Sequence, residues 1–288
     1  MVKVGSEDLL FEVEEGWGKL PRGWSFNLVM GVATDSHDRV YVFNKSPHPV
    51  IILDREGAFL ASWGEGVFKG PHGIYISLED EVYCTDNFDH TVRKFTLEGD
   101  LLMTLGRKDQ QGKKGEPFNQ PTNAALSPSG DLFITDGYGN SRVHKFSPDS
   151  RLLLSWGDFG NSLGQFNIPH GVWIDEEDRV MVADRENNRI EIFTGEGKYV
   201  NQWTDFRKPC SVFMDREGKI YVSELESRMS ILSNDGELLA RWGGEKSREP
   251  GMFIDPHCAW VDSHGDLYVG EVLDGRRLQK FIRKTSYD

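Results

Sequence analysis

The chain has 288 residues, 38% apolar content and a formal charge of −13. That length and apolar share suffice for a sizeable core, and no stretch approaches the ~18 consecutive apolar residues of a membrane span. So acidic a surface repels phosphate backbones and anionic lipid, so neither a nucleic acid nor a membrane is expected as a partner.

The opening, MVKVGSEDLLFEVEEG, carries acids early and no apolar run, and is not expected to be a secretory signal. Within it, Leu9-Leu10-Phe11-Glu12-Val13 resembles the strands LLASW and LLLSW further on. From Phe26 onward one unit recurs. It comprises Phe, two residues, usually Pro, a variable residue, a short apolar strand, an Asp/Gly-rich turn, and three more short strands. Its markers are Phe26, Phe68, Phe118, Phe166, Phe206 and Phe253, spaced 42, 50, 48, 40 and 47 residues apart.

The first unit carries Met30 four residues after its marker, and Asn44-Lys45 open the loop after its second strand. The second carries Pro71-His72 and Asp86-Asn87, and the polar run 107–116 reads as a long loop between units. The third has Thr122, the strand DLFITD, the loop Asp136-Gly137-Tyr138, then RVHKF and LLLSW. This loop is one residue longer than those of the first, second and fourth units. The fourth has Pro169-His170 and Asp184-Arg185, and the fifth Cys210 and Glu224-Leu225. The sixth has Pro256-His257 and Glu271-Val272 but only three strands. Four strands per 40–50 residues is the blade signature of a β-propeller. The prediction is an all-β, six-bladed propeller forming a single domain over 1–288. Its last blade is completed by the N-terminal strand, which removes long free edges. Trp63, Trp156, Trp203 and Trp242 end the fourth strands and read as packing residues.

In such a ring the first strands line the central channel. Met30, His72, Thr122, His170, Cys210 and His257 then occupy one matched position, with histidine on every second blade. Three imidazoles about 120° apart would converge and leave open coordination positions, as in catalytic zinc sites. Their type suits zinc, iron, copper and nickel alike. His48 and His90 read as ties of one turn position that Asn188 fills in the fourth unit. His37, His144 and His264 read as incidental, with His144 on an outer strand. The loops after the second strands overlook the histidines and bring Tyr138, Arg185 and Lys45 toward the metal. Cationic neighbours are expected to lower the Tyr138 pKa and make it a general base. The acids ending the second strands read as struts. Cys84, Cys210 and Cys258 follow no paired spacing, which points to free thiols in a cytoplasm.

The segments PHGIYISLEDEVYCTDNFDHTVRKF, PFNQPTNAALSPSGDLFITDGYGNSRVHKFSP, GQFNIPHGVWIDEEDRVMVADRENNRIEIF and DPHCAWVDSHGDLYVGE carry a resemblance. The chain resembles the peptidyl-α-hydroxyglycine α-amidating lyases, six-bladed propellers of the NHL-repeat type. The resemblance implies zinc on His72, His170 and His257, a catalytic tyrosine at Tyr138 and an arginine at Arg185. A tyrosinate there takes the hydroxyl proton of an N-acyl carbinolamine, giving an amide and glyoxylate. The sequence departs from that pattern at Lys45, where the family has arginine, and at Asp255, where it has methionine. It departs again at Asn119 and Gly139, where the family has a cysteine pair, and at Cys258, where it has a calcium carboxylate. Calcium is therefore not expected. The metal is expected to be Zn2+, with Fe2+ as the other fit. The expected pocket adds Asp255, Met30, Thr122 and Cys210 to these groups. The expected substrate is a small carbinolamide or 2-hydroxy-acid derivative, acted on by a monomer. A metal-dependent hydrolase such as a lactonase, and a non-catalytic NHL scaffold, are the other classes the residues allow.

Overall fold

The computed structural model describes residues 2–6 and 8–284. It is an all-β, six-bladed propeller. The strands run β1 (Lys3–Gly5), β2 (Leu10–Glu14), β3 (Val29–Thr34), β4 (Val40–Asn44), β5 (Val50–Leu53) and β6 (Phe59–Trp63). Next come β7 (Pro71–Ile76), β8 (Val82–Asp86), β9 (Thr91–Phe95) and β10 (Leu101–Gly106), then β11 (Asn123–Leu126), β12 (Leu132–Asp136), β13 (Arg142–Phe146) and β14 (Leu152–Trp156). They continue with β15 (Pro169–Ile174), β16 (Val180–Asp184), β17 (Arg189–Phe193) and β18 (Tyr199–Trp203), and then β19 (Pro209–Met214), β20 (Ile220–Glu224), β21 (Arg228–Leu232) and β22 (Leu238–Gly243). β23 (Pro256–Val261), β24 (Leu267–Glu271) and β25 (Leu278–Arg283) end the order. Five sheets hold four consecutive strands each, and the sixth has the order β1-β2-β25-β24-β23. No helix among the described residues is long and apolar enough to cross a membrane.

The chain divides into two compact units, Met1–Glu65 with Phe213–Asp288, and Gly66–Val212. In the first, β2 pairs antiparallel with β25, with Val13 opposite Phe281, so the N-terminal segment supplies the missing strand. β1 adds a fifth strand outside it, which the repeat did not foretell because the segment lies before the repeat begins.

The marker phenylalanines have a packing reason. Phe118 lies 5.8 Å from Phe146 and Phe166 5.7 Å from Phe193, each on the last residue of the same blade's third strand. Phe68 on Phe95 and Phe253 on Phe281 repeat the contact at 5.7 and 5.9 Å. Each pair packs two rings together at the corner where one blade begins, and aromatic pairs gain about 0.5–1.5 kcal/mol beyond their area. The turns between first and second strands are also repeated. Asp35, Asp175, Asp215 and Asp262 each accept the N–H groups two and four residues on. His37 and His264 are turn residues in two of them, as read.

Candidate metal and catalytic site

The two matched histidines of the unit Gly66–Val212 each sit at a break in the ladder. The β7–β8 register shifts between Pro71 and Ile74, and the β15–β16 register between Pro169 and Gly171. Proline has no N–H to offer a ladder, so it suits this position. A bulge re-aims the side chain it carries. His72 and His170 occupy these breaks and are buried.

In the unit Gly66–Val212 the imidazoles are locked by backbone. His72 Nδ1 donates to Thr122 O at 2.7 Å, and His170 Nδ1 to Cys210 O at 2.8 Å. A carbonyl only accepts, so Nδ1 carries the proton and Nε2 of the neutral ring keeps its lone pair. That is the arrangement of metal-bound histidines, in which an outer carbonyl fixes the tautomer. The glycine after each histidine makes room for it. A Cβ on Gly73 would lie 2.7 Å from Thr122 O, and one on Gly171 2.8 Å from Cys210 O. The two rings are 4.8 Å apart. Thr122 and Cys210 are buried, and they serve the histidines through main-chain oxygens. The Thr122 hydroxyl turns back onto Thr135 and Pro169 O.

Tyr138 lies in the loop after β12. Its Oη is 3.0 Å from His72 Nε2 and 3.1 Å from His170 Nε2. Arg185 Nη1 donates to it at 3.4 Å, and the guanidinium stands 5.5 Å from the ring centre. A phenol has one proton, and two imidazole lone pairs face it. Two imidazole nitrogens and a phenol oxygen thus converge. The donor set fits a divalent metal. The Tyr138 pKa departs from expectation. Burial pushes it above the ordinary phenol value, and the Arg185 charge pulls it back only in part. Protein groups alone do not make this phenol a base.

In the other unit, His257 is buried at the β23–β24 register break between Pro256 and Cys258. Its Nδ1 donates to Met30 O at 2.9 Å, so it repeats the same tautomer. Met30 is itself the residue at the β3–β4 break between Val29 and Gly31. Three buried histidines thus share one pattern of outer bonding. Lys45 follows β4, half-buried, with its N–H on Leu28 O and its carbonyl taking Asn27 Nδ2. Asp255 is buried and pairs with Lys246 Nζ at 3.0 Å while accepting Asp274 N–H at 3.2 Å.

The second-strand acids are struts. Asp86 accepts N–H groups of Lys69, Gly70, Phe88 and Asp89, tying the loop before β7 to the loop after β8. Asp184 takes Asn167 N–H and Arg189 Nε, and Glu271 takes Ile254 N–H and Arg277 Nε. His48 and His90 tie loops, as Asn188 does at the same position. His90 Nδ1 accepts Gln120 N–H at 3.1 Å, Asn188 Oδ1 accepts Lys208 N–H at 2.9 Å, and His48 pairs with Glu65 at 2.6 Å. His144, read as incidental, lies on the third strand β13. It is fully buried there against Asp136, which an incidental residue would not be. The bulges, the supporting carbonyls and the Asp136–His144 contact were missed. The glycine of each PHG triplet was the one available signal.

A six-bladed ring with a buried histidine set places the chain among the NHL-repeat propellers, and the NHL repeat model matches residues 118–146 and 166–193. Human NHL repeat-containing protein 3 is 32% identical over 305 residues, which cover 98% of this chain and 87% of that protein. The chain belongs to the family of NHL repeat-containing protein 3. It also resembles Drosophila melanogaster peptidyl-alpha-hydroxyglycine alpha-amidating lyase 1, 31% identical over 77% of this chain, which spans 46% of that protein's length. A gluconolactonase of Xanthomonas campestris superposes with a TM-score of 0.68 at 13% identity, covering 90% of this chain and 87% of that one. That likeness is one of fold.

Proposed function

We propose that the chain is a metal-dependent lyase that cleaves the C–N bond of a small N-acyl carbinolamine, giving an amide and a glyoxylate-type product. His72, His170 and His257 would hold one divalent ion, zinc by preference and iron as the alternative. An ion held there supplies a positive charge that favours both an alkoxide and a phenolate beside it. The carrying observation is Tyr138 Oη, set against Nε2 of His72 and of His170 with Arg185 behind it.

Tyr138 Oη is placed to take the substrate hydroxyl proton. As the hydroxyl-bearing carbon becomes a carbonyl, the C–N bond breaks and its electron pair goes to the amide nitrogen. That nitrogen takes up a proton, so the products balance without water. Arg185 keeps its charge and steadies the phenolate, and Lys45 is the proposed second cation for a substrate carboxylate. Asp255, paired with Lys246, is proposed to narrow the pocket toward small polar substrates. Met30, Thr122 and Cys210 line it and orient the imidazoles. The site is proposed to work in a monomer in a reducing cytoplasm, where Cys84, Cys210 and Cys258 stay free thiols.

The test is incubation of the zinc-loaded chain with an N-acyl-α-hydroxyglycine in 18O-labelled water. Glyoxylate and amide are expected in equal amounts, with no label beyond that of carbonyl exchange measured on authentic glyoxylate. Metal-loaded protein that releases no glyoxylate, or that yields a hydrolysed acyl group, would contradict the lyase.

A further inference from the structure

We propose that His144 is a positioning residue for Tyr138, acting through the buried carboxylate of Asp136. The proposal rests on Tyr138 being the catalytic group of the lyase reading above.

The strut acids show why blade three is different. In blades four, five and six an arginine opening the third strand holds the strut. Arg189 Nε donates to Asp184 and Arg228 Nε to Glu224, both at 2.8 Å, and Arg277 Nε donates to Glu271. Blade three has Arg142 at this place. Its guanidinium turns outward to Asp158 at 3.2 Å, and its Nε has no hydrogen-bond partner. Asp136 is held instead by Asn140 Nδ2 at 2.7 Å and His144 Nε2 at 3.2 Å, while both carboxylate oxygens take Asn119 N–H at 2.9 Å.

These bonds close around the segment that carries Tyr138. Asn119 O accepts Gly139 N–H at 3.0 Å and Gln120 O accepts Tyr138 N–H at 3.5 Å. Asn140 Nδ2 also reaches Glu116 O at 2.8 Å. One carboxylate thus fixes the segment directly at Asn140 and indirectly through the 119–120 backbone. His144 completes its shell from below. The carboxylate requires a proton on Nε2, so Nδ1 of the neutral ring accepts from Ser155 Oγ at 2.7 Å. The ring also edges onto Phe118 at 5.7 Å. Both His144 and Asp136 are fully buried, where an incomplete shell around a carboxylate is costly and the structure shifts to relieve it. The matched third-strand residues are Ile51, Arg93, Glu191, Ser230 and Gln279, so the imidazole belongs to the tyrosine blade alone.

The test uses the full chain grown with 3-fluorotyrosine, in which loss of one fluorine line in Tyr138→Phe identifies that residue among the eight tyrosines. His144→Leu is expected to move the Tyr138 line and leave the other seven in place. It is also expected to lower kcat for glyoxylate release roughly ten- to a hundredfold, with KM near its original value. His144→Gln, whose amide can donate to Asp136, is expected to restore both. A folded His144→Leu protein with the Tyr138 line unmoved overturns the proposal. Should that variant not fold, Ser155→Ala, which lets the ring turn, is expected to move the same line by less, and an unmoved line there overturns it equally. If the unsubstituted chain releases no glyoxylate, the lyase reading fails, while the fluorine lines still decide the role of His144.

Discussion

Tyr138 carries the sharpest electrostatic question in the molecule. Burial raises its pKa, Arg185 offsets part of that, and two imidazole lone pairs face its oxygen. Tyr138→Phe should therefore lower turnover at least ~100-fold, the scale of a lost general base, while metal content stays unchanged. Rates on an α-hydroxyglycine set beside elemental analysis check both halves. The carbonyls behind the imidazoles matter in the same way. Gly73→Ala would bring a methyl group to 2.7 Å from Thr122 O, so that oxygen must move and His72 loses its orientation. Weaker metal binding by roughly ten- to a hundredfold is expected in a competitive chelator titration, with the fold retained. The histidines themselves were legible from a fixed offset to each marker phenylalanine. The carbonyl partners were not, because every residue has a carbonyl and only the bulge aims this one. His144 was misread because a polar residue within RVHKF looks like an outward-facing strand residue, and only the three-dimensional shell of Asp136 shows otherwise.

Among the elements, the third strands carry a row of buried polar side chains whose chemistry changes from blade to blade. Glu191 on β17 is the most perturbed acid of this row. Its Oε1 accepts Gly164 N–H at 3.1 Å, its Oε2 is buried without a partner, and Asp184 lies nearby with the same sign. Arg189 stands 3.4 Å away, but it also serves Asp184 and the carbonyls of Asn161, Ser162 and Gln165. Burial wins, and the Glu191 carboxyl is pushed up to about 7. The folded chain then binds more protons than the unfolded chain between its ordinary value of 4.5 and about 7. This contribution to stability is full below 4.5 and is lost as pH rises through 7. Glu191→Gln should flatten that part of the curve of unfolding free energy against pH, measured with urea between pH 4.5 and 8. An unchanged slope would mean that the group titrates normally. Strand positions were readable from alternation and turn residues. The perturbed acid was not, because its pKa depends on loop 160–165 folding over it.

For the whole molecule, closure of the last blade is the structural commitment. Phe11 on β2 is fully buried, 6.1 Å from Trp242 and capped by Arg283 at 5.2 Å. Phe11→Ala should cost about 3–5 kcal/mol, read as a shift in the urea midpoint at constant slope. The closing strand was legible because LLFEV looks like a fourth strand that the last repeat lacks. β1 was not, since three residues outside the repeat carry no periodic signal. The account as a whole stands on equivalent imidazoles serving one ion. The most direct measurement is zinc bound per chain after loading and dialysis, for the natural sequence and for His72→Ala, His170→Ala and His257→Ala. One tightly held ion is expected in the first and a large loss in each of the three, with the fold intact by circular dichroism. Equal metal content in all four proteins, or none in the natural chain, would contradict the account.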